Sequence, residues 1–570
     1  MFGELRRQYA SRSRHLVLAG YPTPNGPLHL GHIAGPFLRG DVLRRYLRSR
    51  GHDALAVGTS DSWESNILFT AAKERRDPMA VAGDYQGRIT AALADFGVVQ
   101  DDYLDVHAAP HRAEHRRYSD ALVHALHAEG RLRLRAERLW FDAAAGRPLV
   151  GGWLSGKCPK CAAPATGNSC EECGTWFGPT DLREPAPRAV PGLRPGQGAG
   201  APPGGTLSAV TVTSAFAAPA AGMRAERCAE RIGQVDTYLP IVEEYQRWNP
   251  AGIRLTYPIG WGVPWPLAGP DHGSVHYSYG TGLVAASKVI GDFAADRHGV
   301  PNPMSVSSDV ITVAAGGLDA VMPWLVLLGL TTRGLDFRPF DFFLFNQFLD
   351  LHGAKFSTSR RHTIWVGDYV AAGLDVDCAR LYLASLSPLT KSQDFRCDTF
   401  ARFAAGWAER LDRVVADRSA ALVDGPPATP AEAPGAVEAL AAQDRCLRLP
   451  VTDPAAAVGV LGDWVDRLAA SGGDAGGRPH DPGTAWSQLW TLAVLAAPLA
   501  PGWAGRLWAA LGLAGDPDVH TTSGEACWRP GRYTGLRPPA EAAVRFLMDN
   551  PSLGGYPDAP TPSDAKAVPQ

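Results

Sequence analysis

The chain has 570 residues, enough for about three or four domains, each with its own core. Hydrophobic residues make up 45% and charged residues 20%, the balance of a soluble globular protein and not of a disordered or fibrous one. No apolar run is long enough to span a bilayer and the start, Met1-Phe2-Gly3-Glu4, lacks a signal-type apolar region, so the cytoplasm is the expected compartment. A net charge of −3 neither demands nor excludes nucleic acid, because binding needs a local basic face and not a basic total.

In chain order, the apolar run His15 to Gly20 predicts a buried strand, and Ile33 to Arg50 has helical spacing. Between them lies Pro22-Thr23-Pro24-Asn25-Gly26-Pro27-Leu28-His29-Leu30-Gly31-His32. Strand, glycine-bearing turn and helix is the arrangement that offers backbone N–H groups and a positive helix end to a polyphosphate. His29 and His32 fall on one side of the first helical turn and could donate to the same phosphate oxygens; a metal pair or chance spacing is the alternative. A second apolar strand, Asp53 to Gly58, leads to Asp61 at its carboxyl end, and strand–helix–strand at this spacing opens a doubly wound parallel sheet. Asp61 there either binds a ligand or caps the next helix.

From about Asp105 the chain is helical and Arg-rich, and it then reaches Cys158-x-x-Cys161 and Cys170-x-x-Cys173. Two such knuckles separated by eight residues predict a closed, tetrahedral structural zinc (Zn2+) site, with disulfides as the alternative. Cys228, Cys378, Cys397, Cys446 and Cys527 show no ligand spacing and are expected to be ordinary thiols. Glu184 to Thr206, crowded with Pro and Gly, reads as a loop or linker. The sheet is expected to resume near Ile253 to Tyr257, with further strands at Val310–Ala315 and Phe340–Phe345 flanking a helix from about Asp319 to Leu330.

Far downstream stands Gly353-Ala354-Lys355-Phe356-Ser357-Thr358-Ser359-Arg360. With the first motif, it resembles the HIGH and KMSKS signatures of class I aminoacyl-tRNA synthetases. Their order with Arg50-Gly51-His52, Asp61 and the cysteines is similar to the methionyl group, over about residues 14 to 400. The resemblance implies an α/β fold: a Rossmann-type doubly wound parallel sheet, a zinc-knuckle insertion and a C-terminal helical bundle. It divides the chain into a catalytic domain in two halves, 1–104 and 253–345, around an insertion at 105–252. A KMSKS-like loop and stem-contact region follows at 346–398, then a bundle resembling an anticodon-binding domain at 399–540 and a disordered tail at 541–570.

The resemblance also assigns residues. His29, His32, Lys355, Ser357, Ser359 and Arg360 would be catalytic; Asn25, Gly26, Gly31, Gly317 and Asp319 would bind ATP, with Mg2+ on the phosphates. Helix capping is an equally serious reading of Asp319. Asp61 would hold the α-ammonium of an amino acid whose side chain meets Tyr21, Tyr277, Val284 and Trp324. The methionyl family has Leu, Tyr and His where this chain has Tyr21, Val284 and Trp324, so a smaller or more polar amino acid than methionine is expected. The second lysine of the loop is Thr358, a loss that would ordinarily slow the reaction on the order of a hundredfold unless Arg360 or Arg361 replaces it.

After Arg396 the composition turns to Ala, Leu, Arg and Trp at helical spacing, interrupted at Asp424–Gly435 and Ser471–Thr484, which predicts a helix bundle. The family's anticodon-reading Asn and Arg fall near Ala416 and Ala420, and its Pro-Trp is absent after Asp463–Ala470, where Trp464 reads as core. Loss of both signatures favours a tRNA-independent ligase in natural-product biosynthesis, one that passes the activated amino acid to a small-molecule amine or hydroxyl. An N-hydroxylated amine, with a separate downstream enzyme, is one such acceptor. The alternatives are a divergent methionyl-type enzyme charging tRNA and a non-catalytic homologue with a binding or regulatory role. A monomer is expected, as no appended dimerisation domain is recognisable.

Overall fold

The computed structural model describes residues 1–190, 207–271, 273–357, 361–423, 430–471, 480–522 and 528–549. Three short apolar strands open the architecture: β1 (Arg14–Ala19), β2 (Asp53–Thr59) and β3 (Asp102–Leu104). Two later ones, β4 (Ile311–Gly317) and β5 (Phe342–Asn346), join them in a five-stranded sheet of spatial order β5-β4-β1-β2-β3. Every pairing in it is parallel, Val17 facing Val313 on one side and Ala56 on the other. Residues of β1 are buried from His15 onward, as expected of a central strand covered on both faces. In this order the chain reverses direction between β1 and β4, so the crevice for a ligand opens beyond the carboxyl ends of those two strands.

The helix expected over Ile33–Arg50 is broken. A turn at Leu30–His32 passes through a wide turn at Ile33–Phe37, in which Gly35 is non-helical (φ −88°, ψ −114°), before α1 (Leu38–Ser49) begins. Pro36 is the reason, since it lacks an N–H and its ring collides with the preceding helical turn. Gly40 of α1 lies against Ala19 so closely that a Cβ would collide with the strand.

The sheet does not resume at Ile253. Ile253 and Arg254 pair antiparallel with Ala217 and Phe216 of the strand Leu207–Ala217, which pairs along its length with Leu132–Asp142. The segment thus closes a second, antiparallel sheet belonging to the insertion, and the parallel sheet returns only at Ile311. Ile253-Arg254-Leu255-Thr256-Tyr257 alternates apolar and polar residues, the pattern of an antiparallel strand and not the continuous apolar run of a central parallel one. Nor is Glu184–Pro187 loop: Arg183–Pro187 forms an edge of a small three-stranded sheet with Leu154–Lys157 and Pro164–Thr166, a place where prolines are tolerated. The remainder of that Pro/Gly-rich stretch, from residue 191, lies outside the described residues.

The helix α2 (Val321–Gly329) covers β4 and is buried along its whole length. Beyond the sheet, a bundle is built on α3 (Cys397–Val423), α4 (Pro454–Ala470) and α5 (Pro482–Ala496), its core filled by Trp464, Trp486, Trp490, Trp503 and Trp508. Buried arginines fasten the bundle to the parallel-sheet domain. Arg50 Nε meets Asp444 at 2.8 Å, with the guanidinium between Tyr9 and Tyr46, and Arg380, on the helix Val376–Leu386, pairs with Asp41 at 2.5 Å while donating to Leu499 O at 3.3 Å. The disorder expected over 541–570 does not hold for its first nine residues. Glu541–Asp549 is a helix packed on α3 through Val544 and Leu547, an amphipathic face that polar flanks conceal in the sequence; residues 550–570 lie outside the described residues. Among the described residues no helix is long and apolar enough to cross a membrane.

Candidate active site

The loop after β1 and the strand carrying Lys355 meet at the crevice. His29 and His32 cap each other: the His32 N–H donates to His29 Nδ1 at 3.3 Å and the His29 N–H to His32 Nδ1 at 3.1 Å. Their rings stack at 3.7 Å, and Phe356 stacks on the far face of His29 at 5.1 Å. Because each Nδ1 accepts, each neutral ring carries its proton on Nε2, which leaves two N–H donors for the cleft. His29 is buried, and burial holds its pKa well below the usual imidazole value, so it stays neutral. Gly31 leaves room for this stack; a Cβ there would press on His29 and Phe356 at about 3 Å.

Asn25 and Gly26 lie in the turn before the histidines, where the Asn25 N–H donates to Thr23 O at 2.9 Å and its carbonyl accepts from Thr70 Oγ1. Gly317 ends β4 on the opposite side of the crevice. Asp319 follows in the short turn Leu318–Ala320, where burial, helped by Glu171, raises its pKa to about 6. Neither the turn Leu318–Ala320 nor the helix after it is capped by a side-chain hydrogen bond, so the geometry lends the capping reading no support.

Lys355 Nζ lies 4.6 Å from the Phe348 ring and makes ion pairs with Glu171 at 3.0 Å and Glu172 at 2.9 Å. Ser357 closes the loop by reciprocal backbone bonds with His362 at 2.9 and 3.0 Å. Ser359 and Arg360, with Thr358, lie outside the described residues.

Asp61 is only 1% exposed, and its N–H donates to Pro22 O at 2.9 Å, which ties the end of β2 to the loop after β1. It does not cap the following helix; Glu64 accepts from the Asn66 N–H at the start of Asn66–Glu74. One oxygen, Oδ2, is buried without a hydrogen-bond partner, while Tyr279 donates to the carboxylate. Burial, then Glu64, drives the Asp61 pKa well above the carboxylate range. A buried carboxylate with an open oxygen is a site for a cation.

Aromatic rings surround it. Tyr21 meets Trp324 edge-on at 5.8 Å, Tyr277 meets Tyr279 at 5.7 Å, and Trp176 of the insertion meets Tyr279 at 5.3 Å. Val284 is fully buried in the apolar cluster that includes Trp324 and against which Tyr21, Tyr277 and Tyr279 pack. Tyr279, Glu64, Glu171, Glu172 and Phe356 were not singled out by the sequence. Tyr279 lies two residues past Tyr277, Glu171 and Glu172 lie hidden between two cysteines, and Glu64 stands three residues past Asp61.

The Sγ atoms of Cys158, Cys161, Cys170 and Cys173 all lie within 4.8 Å of one another. Cys158–Cys173 are 3.8 Å and Cys161–Cys170 3.6 Å apart. Those separations are too long for disulfides and match the edge of about 3.8 Å that a tetrahedron with Zn–S bonds of about 2.3 Å requires. The Lys160 N–H points at Cys158 Sγ, as backbone donors do around thiolates in a metal knuckle. Of the other cysteines, Cys228, Cys378 and Cys397 are buried and Cys446 partly so, while Cys527 lies outside the described residues.

A doubly wound sheet with a stacked histidine pair at its switch point and a four-cysteine insertion defines a class I synthetase fold. Residues 15–192 and 319–406 match the family model described as tRNA synthetases class I (M). The chain is 27% identical over 416 residues to the methionine–tRNA ligase of Parabacteroides distasonis, covering 68% of this chain and 55% of that protein. It is 28% identical over 413 residues to that of Christiangramia forsetii, covering 68% and 54%. It thus spans about half the length of the curated relatives it matches. Its fold is similar to Mycobacterium tuberculosis methionyl-tRNA synthetase bound by methionyl-adenylate, with a TM-score of 0.63 at 15% identity over 92% of this chain and 99% of that one. The chain is thus similar to the class I aminoacyl-tRNA synthetases, and among them to the methionyl group, in sequence motifs and in fold.

Proposed function

We propose that the chain is an ATP-dependent ligase that activates an amino acid as its adenylate and then transfers it to tRNA, as its methionyl relatives' names describe. The observation that carries this reading is the open oxygen of buried Asp61, in the same crevice as the stacked His29 and His32. Asp61 would take the substrate ammonium in a charge-assisted bond, fixing the amino acid with its carboxylate toward the histidines. The carboxylate oxygen then attacks the α-phosphorus of ATP. The α–β anhydride bond breaks, pyrophosphate leaves, and no protein nucleophile is needed. His29 and His32 donate to phosphate oxygens through Nε2, and Lys355 supplies countercharge as negative charge moves onto the leaving pyrophosphate. Mg2+ on the phosphates would add further neutralisation. In the second step the acceptor oxygen attacks the activated carbonyl and AMP leaves.

The four cysteines would hold one structural Zn2+ with no open position, fixing the insertion that brings Trp176 and Glu171 to the crevice. The contact between Tyr21 and Trp324 narrows the side-chain pocket, which supports an amino acid smaller or more polar than methionine.

A second reading keeps the activation step and replaces tRNA by a small-molecule amine or hydroxyl, an N-hydroxylated amine included. It is favoured by Ala416 and Ala420, which stand one turn apart on the exposed face of α3, and by Trp464, buried in the bundle core and unable to stack on a base. Release of AMP from the enzyme-bound adenylate separates the two: acceleration by tRNA supports the first reading, while insensitivity to tRNA with acceleration by hydroxylamine-type nucleophiles supports the second.

A further inference from the structure

Glu171 and Glu172 are the two residues between Cys170 and Cys173, and both carboxylates reach across the crevice to one cation, Lys355, at 3.0 and 2.9 Å. The turn that presents them is tightly bonded, the Gly174 N–H donating to Cys170 O and the Cys170 N–H to Thr175 O, each at 2.9 Å. Lys355 is equally constrained, since it lies in the short strand Ala354–Lys355 and is followed by Phe356, stacked on His29. The charge of Glu171 also reaches His32 and Asp319, which places it at the mouth of the proposed nucleotide site. A triphosphate entering there meets two carboxylates and a lysine already neutralised by them.

We propose that Glu171 and Glu172 form a charge latch on Lys355, positioning residues that hold the lysine in the ATP-free protein and surrender it to the triphosphate, and so set the apparent affinity for ATP. The latch rests on the adenylation reading and adds to it a role for the cysteine knuckle. One ammonium cannot neutralise two carboxylates and a polyphosphate together, so nucleotide binding must compete for it. The apparent ATP affinity is the intrinsic one multiplied by the fraction of protein in which the lysine is unlatched. Lys355 is 27% exposed and the glutamates 65% and 47%, so solvent weakens the pair; the latch tunes binding without blocking it.

The test is equilibrium binding of Mg–ATP to the full chain, with zinc content as the check that the knuckle is intact. The E171Q/E172Q variant is expected to bind ATP roughly three- to tenfold more tightly than wild type, and E171D/E172D to return towards the wild-type value. In a Lys355→Met background the glutamine changes should have no effect. Equal or weaker binding by E171Q/E172Q, or the same gain in the Lys355→Met background, overturns the latch. Absence of ATP binding by the wild type overturns the adenylation reading beneath it, and that outcome is distinct from a latch that fails while ATP still binds.

Discussion

Replacing Asp61 by Asn separates function from stability in a way few substitutions do. The side chain is 1% exposed, one oxygen has no partner, and burial pushes its pKa well above the usual carboxylate range. For an acid whose folded pKa is raised, the folded state holds a proton that the unfolded chain releases near 3.8, so the stability it contributes is lost as pH rises from that value. Asn does not ionise, and the variant should therefore unfold at a higher temperature than wild type at neutral pH. Activity should move the other way. Removing one partner of a buried charge pair costs about 3 kcal/mol, or about a hundredfold in kcat/KM for the amino acid. Because the substrate ammonium selects the ionised carboxylate, wild-type amino-acid affinity should tighten as pH rises, and the variant should lose that dependence. Thermal melts and amino-acid-dependent ATP–pyrophosphate exchange measure the two effects. A variant that is destabilised, or that keeps its kcat/KM within a few fold, refutes the assignment of the open oxygen to an ammonium.

Purified protein should release about one equivalent of zinc on thiol modification, and Cys170→Ser should abolish it, whereas metal-free protein with an ordered insertion would contradict the closed tetrahedral site. His115 is buried and desolvation lowers its pKa to about 3, so the unfolded chain takes up a proton below pH 6.5 that the folded one refuses. The stability difference between wild type and His115→Asn should shift by about 2 kcal/mol against wild type between pH 7 and pH 5, as read by urea unfolding; a pH-independent difference would refute it. Arg50→Met leaves Asp444 and Gln443 without their buried partner and should cost about 3–5 kcal/mol, seen as a lowered denaturation midpoint. A neutral result would mean that the sheet–bundle contact does not depend on that ion pair.

The elements that were legible in the sequence are those whose signal is local. β1, β2 and the paired Cys-x-x-Cys stretches can be recognised because apolar length, glycine-bearing turns and ligand spacing are properties of short windows. Long-range pairing is different. Ile253 and Arg254 carry no mark of their antiparallel partner, Leu207–Ala217, and nothing in Cys-Glu-Glu-Cys predicts that the glutamates reach Lys355, more than 180 residues further on. The break at Gly35 and Pro36 was visible as a proline, but helical periodicity on either side obscured it. In the crevice, His29 and His32 stand out by their spacing and Asp61 and Lys355 by the family resemblance, whereas Tyr279 and Phe356 become apparent only with their rings against Asp61 and His29.

The central claim is that this crevice joins an amino acid to ATP, and ATP–pyrophosphate exchange across the twenty amino acids, with and without tRNA, tests it most directly. The account predicts exchange that depends on an amino acid smaller or more polar than methionine and is lost in Asp61→Asn. Exchange with methionine alone would contradict the pocket, and absence of exchange with every amino acid in a protein that is folded and zinc-loaded would contradict the account as a whole.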